Sequence, residues 1–180
     1  MNIKLVKVSK EYQAQIEDML KEWRAYNDSH PDANTSPFGI FHEYDNFDEY
    51  IHHLIDIGEH YNEYNSKYVP ASTFFAYDED RDVMVGAANI RHYLNDKLLV
   101  GGGHIGDGVR PSERRKGYGT IIVKLALEEC KKLGIDRVMM ACDKSNDASR
   151  KTIVNNGGVY DCDITEDDGN IIERYWIDLK

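Results

Sequence analysis

Long apolar runs are missing from this 180-residue chain. No stretch approaches the roughly 18 apolar residues that a membrane-spanning helix needs. The first ten residues alternate instead of forming the apolar block of a secretion signal, so a cytoplasmic location away from membranes is expected. Cysteine is scarce. Cys130, Cys142 and Cys162 are odd in number and widely spaced, which fits neither a disulfide framework nor a zinc site. They read as small buried hydrophobes in a reducing compartment. Adjacent His52 and His53 lack the i, i+4 spacing of metal ligands on one helix face, so no metal is expected. Positive charge is also short, with 22 basic against 32 acidic residues and a formal net charge of −10. That balance argues against nucleic acid and anionic membranes as partners. Internal repeats and low-complexity linkers are absent. What is present, 41% hydrophobic and 30% charged residues, describes an ordinary globular chain. Its length suits one domain over residues 1–180, burying roughly 70% of its unfolded surface.

Periodicity orders the elements. Residues 2–8 alternate as a strand, and residues 11–26 place Ile16, Met19, Leu20 and Trp23 at helical spacing. The stretch 28–41, with Pro31 and Pro37, reads as loop, and 47–57 as a second helix carrying Tyr50, Ile51, Leu54 and Ile57 on one face. Residues 72–77 and 83–92 flank an acidic turn as a hairpin. A glycine-punctuated strand is expected over 98–109, then a helix over 119–133 with Ile122, Leu125, Ala126, Cys130 and Leu133 inward and Gly134 as its stop. A buried strand over 135–142, a short helix over 147–155 and a terminal hairpin of 159–164 with 171–179 complete the chain. The order implies an α/β fold with a mixed, mostly antiparallel central sheet of about seven strands and helices on both faces.

The most informative segment is 109–120, V-R-P-S-E-R-R-K-G-Y-G-T. Four of the seven residues from Arg110 to Lys116 are basic, in a chain that is otherwise acidic. A local inversion of charge beside a glycine turn that opens a helix suits a phosphate ligand, because the helix start offers unpaired N–H groups and a positive dipole end. The nucleotide loop G-x-x-x-x-G-K-[ST] occurs nowhere, and Gly117 and Gly119 are not followed by the third glycine of the dinucleotide fingerprint. Read on the turn alone, a purely structural role competes evenly with a ligand site.

The run Arg114-Arg115-Lys116-Gly117-Tyr118-Gly119 resembles the R-x-x-G-x-G coenzyme A pyrophosphate loop of the GNAT acetyltransferase superfamily. Val109-Arg110-Pro111 resembles the family's strand exit, Asn146 the asparagine that opens its next helix, and Asn156-Gly157-Gly158 the turn that closes it. The likeness covers roughly residues 83–180. It implies an acetyl-CoA-dependent N-acetyltransferase that carries acetyl to the amine of a small molecule or peptide, with room for a homodimer. It also implies that Gly108, Val109, Arg114, Arg115, Lys116, Gly117, Tyr118, Gly119, Thr120 and Asn146 hold the cosubstrate. A rival reading is a non-catalytic acyl-CoA-binding sensor or interaction domain.

Acetyl transfer needs a deprotonated amine, because an alkyl ammonium with a pKa near ~10.4 is no nucleophile. Asp107 and His104 are the nearest titratable groups on the strand that the resemblance assigns to the acyl group. Strand alternation puts them on opposite faces, and Asp107 shares its face with Val109, which favours Asp107 as base. A solvated strand-end carboxylate competes with that role. GNAT enzymes commonly place a proton-donating tyrosine seven residues after the asparagine; here that position is Ile153, so Tyr160 or water is left as the acid. Finally, residues 43–63 hold seven acidic side chains and no Lys or Arg. The resemblance implies that this segment borders the acceptor pocket, where its charge would favour a cationic amine; read on charge alone it is a solvated acidic face.

Overall fold

The computed structural model describes residues 2–31, 39–60 and 68–179. Among the described residues seven strands form: β1 Ile3–Val6, β2 Ala71–Asp78, β3 Val83–Arg91, β4 Ile105–Val109, β5 Arg137–Asp143, β6 Val159–Thr165 and β7 Ile171–Asp178. The α-helices are α1 Gln13–Ser29, α2 Phe47–His52, α3 Tyr118–Lys132 and α4 Asp147–Asn155. The strands divide into a four-stranded sheet, β1-β2-β3-β4, and a three-stranded sheet, β5-β7-β6, with every ladder antiparallel.

One short link joins β4's chain to β5. The N–H of His104 donates to the carbonyl of Met139 at 2.8 Å, and the N–H of Met139 donates to His104 Nδ1 at 2.9 Å. Gly103 makes this approach possible. Its φ of +66° is glycine's territory, and a Cβ there would stand 2.7 Å from the Met139 carbonyl oxygen. Beyond the link no ladder joins the two strands, and a cleft occupies the space between them.

The expected sheet is therefore present but split. The strand expected over 98–109 is shorter than its sequence suggested: Leu98–Gly102 winds as a π-helical turn, and extended structure begins at Ile105. Three successive glycines give that stretch no side chains with which to pack a strand face. The helix expected over 47–57 likewise ends its regular part at His52 and continues as a π turn, His53–Ile57.

Two apolar layers flank the four-stranded sheet, one of them shared with the three-stranded sheet. On one side Ile122, Val123, Ala126, Leu127 and Cys130 of α3 pack with Val85, Ala88, Ile105, Met140 and Ile153. Each such large aliphatic side chain removed from water contributes roughly 1.5–3 kcal/mol. Leu133, expected inward, caps α3 and is 43% exposed. On the other side Ile16, Met19, Leu20 and Trp23 of α1 meet Tyr50 and Leu54, over Phe75, Met84 and Ala87.

Candidate functional site

The cleft between β4 and β5 has a volume of about 1000 Å³. Its floor is Ile105 to Val109 on one side and Ala141, Cys142 and Asp143 on the other. The register makes β4 a binding edge. Arg91 N–H donates to the His104 carbonyl and Arg110 N–H to that of Val85, while Gly86 stands opposite Val109. The even-numbered residues of β4 are therefore those bonded to β3. Alternation then turns the N–H and C=O of Ile105, Asp107 and Val109 toward the cleft. The Val109 carbonyl accepts from Arg114 Nε at 3.3 Å. Gly106 and Gly108 put no side chain in the way.

At the end of β4 the chain makes a 3-10 turn, Pro111–Glu113, and enters α3 through two residues of positive φ, Arg115 at 63° and Gly117 at 88°. No side chain caps α3. The first N–H groups of the helix, at Tyr118, Gly119 and Thr120, are left for a ligand, at the positive end of the helix dipole. Gly119 faces Thr152 of α4, and a Cβ there would lie 3.2 Å from Thr152 Oγ1. The narrow floor so formed is lined by Arg114, Arg115, Gly117, Tyr118, Gly119 and Thr120 on one side and by Asn146, Ala148, Ser149 and Thr152 on the other.

The basic cluster divides by partner. Arg110 is tied to Asp18 and Glu22 of α1, and Glu22 also accepts from the Ser112 N–H at 2.8 Å. Lys116 Nζ donates to Glu113 Oε2 at 2.9 Å, and Arg81 grips both oxygens of the same carboxylate at 2.7 and 2.9 Å. These partners, Arg81 foremost, hold the Glu113 carboxyl down at about 2. Lys116 is not among the residues that line the cleft; a carboxylate three residues back pairs with it. Tyr118 is buried, its hydroxyl donating to Asp78 Oδ2 and accepting from Arg81 Nη1, each at 2.9 Å, so only its backbone serves the turn. Arg114 lies over the Tyr26 ring at 4.3 Å and lines the cleft beside Arg115.

Asn146 caps α4 by accepting from the Ser149 N–H at 3.1 Å. Seven residues on, Ile153 is fully buried in the core. The hydroxyls α4 does present to the cleft are those of Ser149 and Thr152. Helical spacing from Asn146 carried that signal.

Asp107 lies in the cleft, on the β4 face it shares with Ile105 and Val109. Its carboxylate keeps a partial opening to the cleft but is otherwise enclosed, and that burial pushes its pKa up to about 6, tempered by its own backbone N–H. His104 serves structure instead. Its Nδ1 lone pair is spent on Met139, and burial, with the nearby Arg91 charge, pushes it down to about 4. Tyr160 stands apart from the cleft. It is 53% exposed on β6, its ring edge-on to Tyr175 and its hydroxyl donating to Asp163 at 3.0 Å. The β6–β7 register carries it there, which neighbouring sequence could not indicate.

The acidic segment behaves as helix punctuation. Asn46 accepts from the Glu49 N–H, and Glu49 in turn accepts from the Asp45 N–H, while Lys10 pairs with Asp48. None of the described carboxylates of residues 43–60 lines the cleft; Gly39 and Phe41 approach it from this region. Tyr61 and Glu63 lie outside the described residues, as do Pro37 and its neighbours in the preceding loop. Sequence reasoning passed over Arg91, at the end of β3, whose guanidinium lies in the cleft wall against Gly106. Among the described residues, no group of three or more His, Cys, Asp or Glu could hold a metal ion, and no helix is long and apolar enough to cross a membrane.

Comparison with solved structures finds this fold repeatedly. A ribosomal-protein-S5-alanine acetyltransferase from Vibrio fischeri superposes with a TM-score of 0.66 at 15% identity, covering 98% of this chain and 91% of the other. RimL, a ribosomal L7/L12 alpha-N-protein acetyltransferase in complex with coenzyme A, gives 0.65 at 12%, covering 99% and 94%. A chimera of the spermidine N-acetyltransferase SpeG from Vibrio cholerae and hSSAT gives 0.62 at 12%, covering 99% and 96%. At such identities these likenesses speak for the fold. No curated protein matches the sequence. The model of the acetyltransferase (GNAT) family matches residues 17–155, and the chain belongs to that family.

Proposed function

We propose that the protein transfers the acetyl group of acetyl-CoA to an amine, with the pyrophosphate on the α3 turn and the thioester arm along β4. The observation that carries the reading is the continuity of the cleft. An open backbone edge at Asp107 and Val109 leads straight to the uncapped start of α3, where Gly117 and Arg115 take positive φ. Those free N–H groups, the Arg114 and Arg115 charges and the tight Gly119–Thr152 contact suit a pyrophosphate on a slender chain. Bound there, acetyl-CoA supplies the activated acyl carbon.

Asp107 is the base in this proposal. A carboxylate with a pKa near 6 is ionised at neutral pH, yet basic enough to take a proton from an incoming ammonium. The cationic acceptor expected from residues 43–63 narrows to this ammonium, since Asp107 supplies negative charge where that segment does not. The amine nitrogen then bonds to the acyl carbon, the carbon–sulfur bond breaks, the nitrogen gives up its second proton to water and coenzyme A leaves as thiolate. With a thiol pKa of about 8.5, the thiolate takes its proton from water at modest cost, and Tyr160 is not needed. Three free cysteines in an acidic chain suit the cytoplasm as its site of action.

Ile153 at the position of the family's tyrosine favours a second reading, an acyl-CoA-binding domain without turnover. Two measurements separate them. Titration calorimetry with coenzyme A is expected to show binding under either reading. Release of free thiol from acetyl-CoA in the presence of an amine panel is expected only of the enzyme. Tight binding without amine-dependent release over the whole panel would establish the second reading.

A further inference from the structure

Arg91 ends β3 and points its guanidinium along β4 on the face opposite Asp107. It lies so close to Gly106 that a Cβ there would stand 3.3 Å from Nη2 and 3.4 Å from Nη1. Nη1 donates to the Gly102 carbonyl at 3.1 Å and leans toward that of Gly103 at 3.4 Å. Nε and Nη2 bond no described residue, and no described carboxylate pairs with the group. The surroundings are dry enough that burial lowers the guanidinium's pKa, although such a group keeps its charge throughout the ordinary pH range.

A cleft-lining guanidinium with no counter-ion among the described residues is available to an anionic ligand. Arg81, Arg110, Arg137, Arg150 and Arg174 each hold a described carboxylate of this chain, whereas Arg91, like Arg114 and Arg115 of the same cleft, holds none. Arg91 instead lines the cleft, with Gly106 as its neighbour. It stands at the end of β4 opposite to the pyrophosphate turn, bonded to the Gly102 carbonyl and level with His104. Two parallel N–H groups of a planar fork suit a carboxylate.

We propose that Arg91 binds a carboxylate of the acceptor, so that the substrate carries a carboxylate as well as its reacting amine. This rests on the acetyl-transfer reading above and names the class of amine within it.

The test compares acceptors that differ only in the anionic group. The panel holds α-amino acids against their decarboxylated amines and dipeptides with free against amidated C-termini, with O-phosphoethanolamine as the phosphate-bearing arm. In wild type, the carboxylate member of at least one pair should lead in kcat/KM by roughly 10-fold or more, a ratio typical of a hydrogen-bonded charge. That ratio should collapse toward one in Arg91→Gln. It should fall only part of the way in Arg91→Lys, which keeps a donor for the Gly102 carbonyl but loses the fork. Equal rates within every pair, or a ratio untouched by Arg91→Gln, would overturn the assignment. An Arg91-dependent preference for O-phosphoethanolamine alone would replace carboxylate by phosphate. Should wild type acetylate no amine at all, the transfer reading itself fails. Calorimetry of N-acetylphenylalanine against its amide, on protein saturated with coenzyme A, then still decides whether Arg91 selects a carboxylate.

Discussion

His104 holds Met139 twice, accepting the Met139 N–H on its Nδ1 and donating its own N–H to the Met139 carbonyl. This is where the four-stranded and three-stranded sheets meet, and where the cleft closes. His104→Ala leaves the buried Met139 N–H without a partner, a loss of roughly 1–3 kcal/mol. Tm should fall accordingly, by several degrees. With its pKa pushed down to about 4, the imidazole cannot supply an ionisation near neutrality. The pH dependence of residual activity should keep the wild-type midpoint, and a midpoint displaced in His104→Ala would return His104 to the list of bases.

Asp107→Asn separates activity from stability. In wild type kcat/KM should rise with pH through a midpoint near 6, as the carboxylate ionises. The variant should lose roughly 10²- to 10⁴-fold in rate, the range of one acid–base group. Stability runs the other way. The folded pKa is raised above the ordinary 3.8, so the folded state binds the proton more tightly, and stability falls as pH rises from about 4 through 6. At pH 7–8 the variant escapes that penalty, which amounts to at most about 3 kcal/mol. Denaturant midpoints at pH 4 and pH 7.5 check this, and a variant less stable at both values would contradict it.

Gly119→Val puts a branched side chain between Val109 and Thr152, where even a Cβ sits 3.2 Å from Thr152 Oγ1. Overpacking should cost roughly 1–3 kcal/mol of stability. Coenzyme A affinity, measured on folded protein, should drop by more than 10-fold because the turn can no longer approach the ligand. Affinity retained in a folded variant would remove the pyrophosphate from this turn.

Neutralising single cations tests how the basic cluster divides. Arg115→Ala and Arg114→Ala should weaken coenzyme A binding, and the difference should shrink toward molar salt, where the Debye length is about 3 Å. Lys116→Ala should change affinity by less than about 2-fold, since Glu113 already holds the ammonium. Equal losses at all three positions would put Lys116 back on the ligand.

Glu113→Gln probes the frame of the same turn. The carboxyl is held down at about 2, so its contribution is complete above the ordinary 4.5 and is lost as pH falls from there through 2. Wild type should therefore lose stability over that acid range more steeply than the variant. Parallel acid-unfolding curves would show that Arg81 and Lys116 do not lean on this carboxylate.

The sequence by itself determined what is local. The charge inversion, the glycines at 117 and 119 and the helix that follows them depend on neighbours a few residues apart, and the order of strands and helices follows from periodicity. The Asn146 cap and the opposed faces of His104 and Asp107 were legible for the same reason. Tertiary structure decided what depends on distant partners. Only folding brings Glu22 to Arg110 and Arg81 to Glu113, and so decides which cations are paired within the chain. Only folding splits the sheet after His104, buries Ile153, carries Tyr160 to an edge and leaves Arg91 in the cleft wall. The run of glycines before β4 read as a weak strand because no residue in it shows that a turn packs there. A pattern of side chains fixes an element's face, but which group meets which across the cleft is set by packing between segments far apart in the chain.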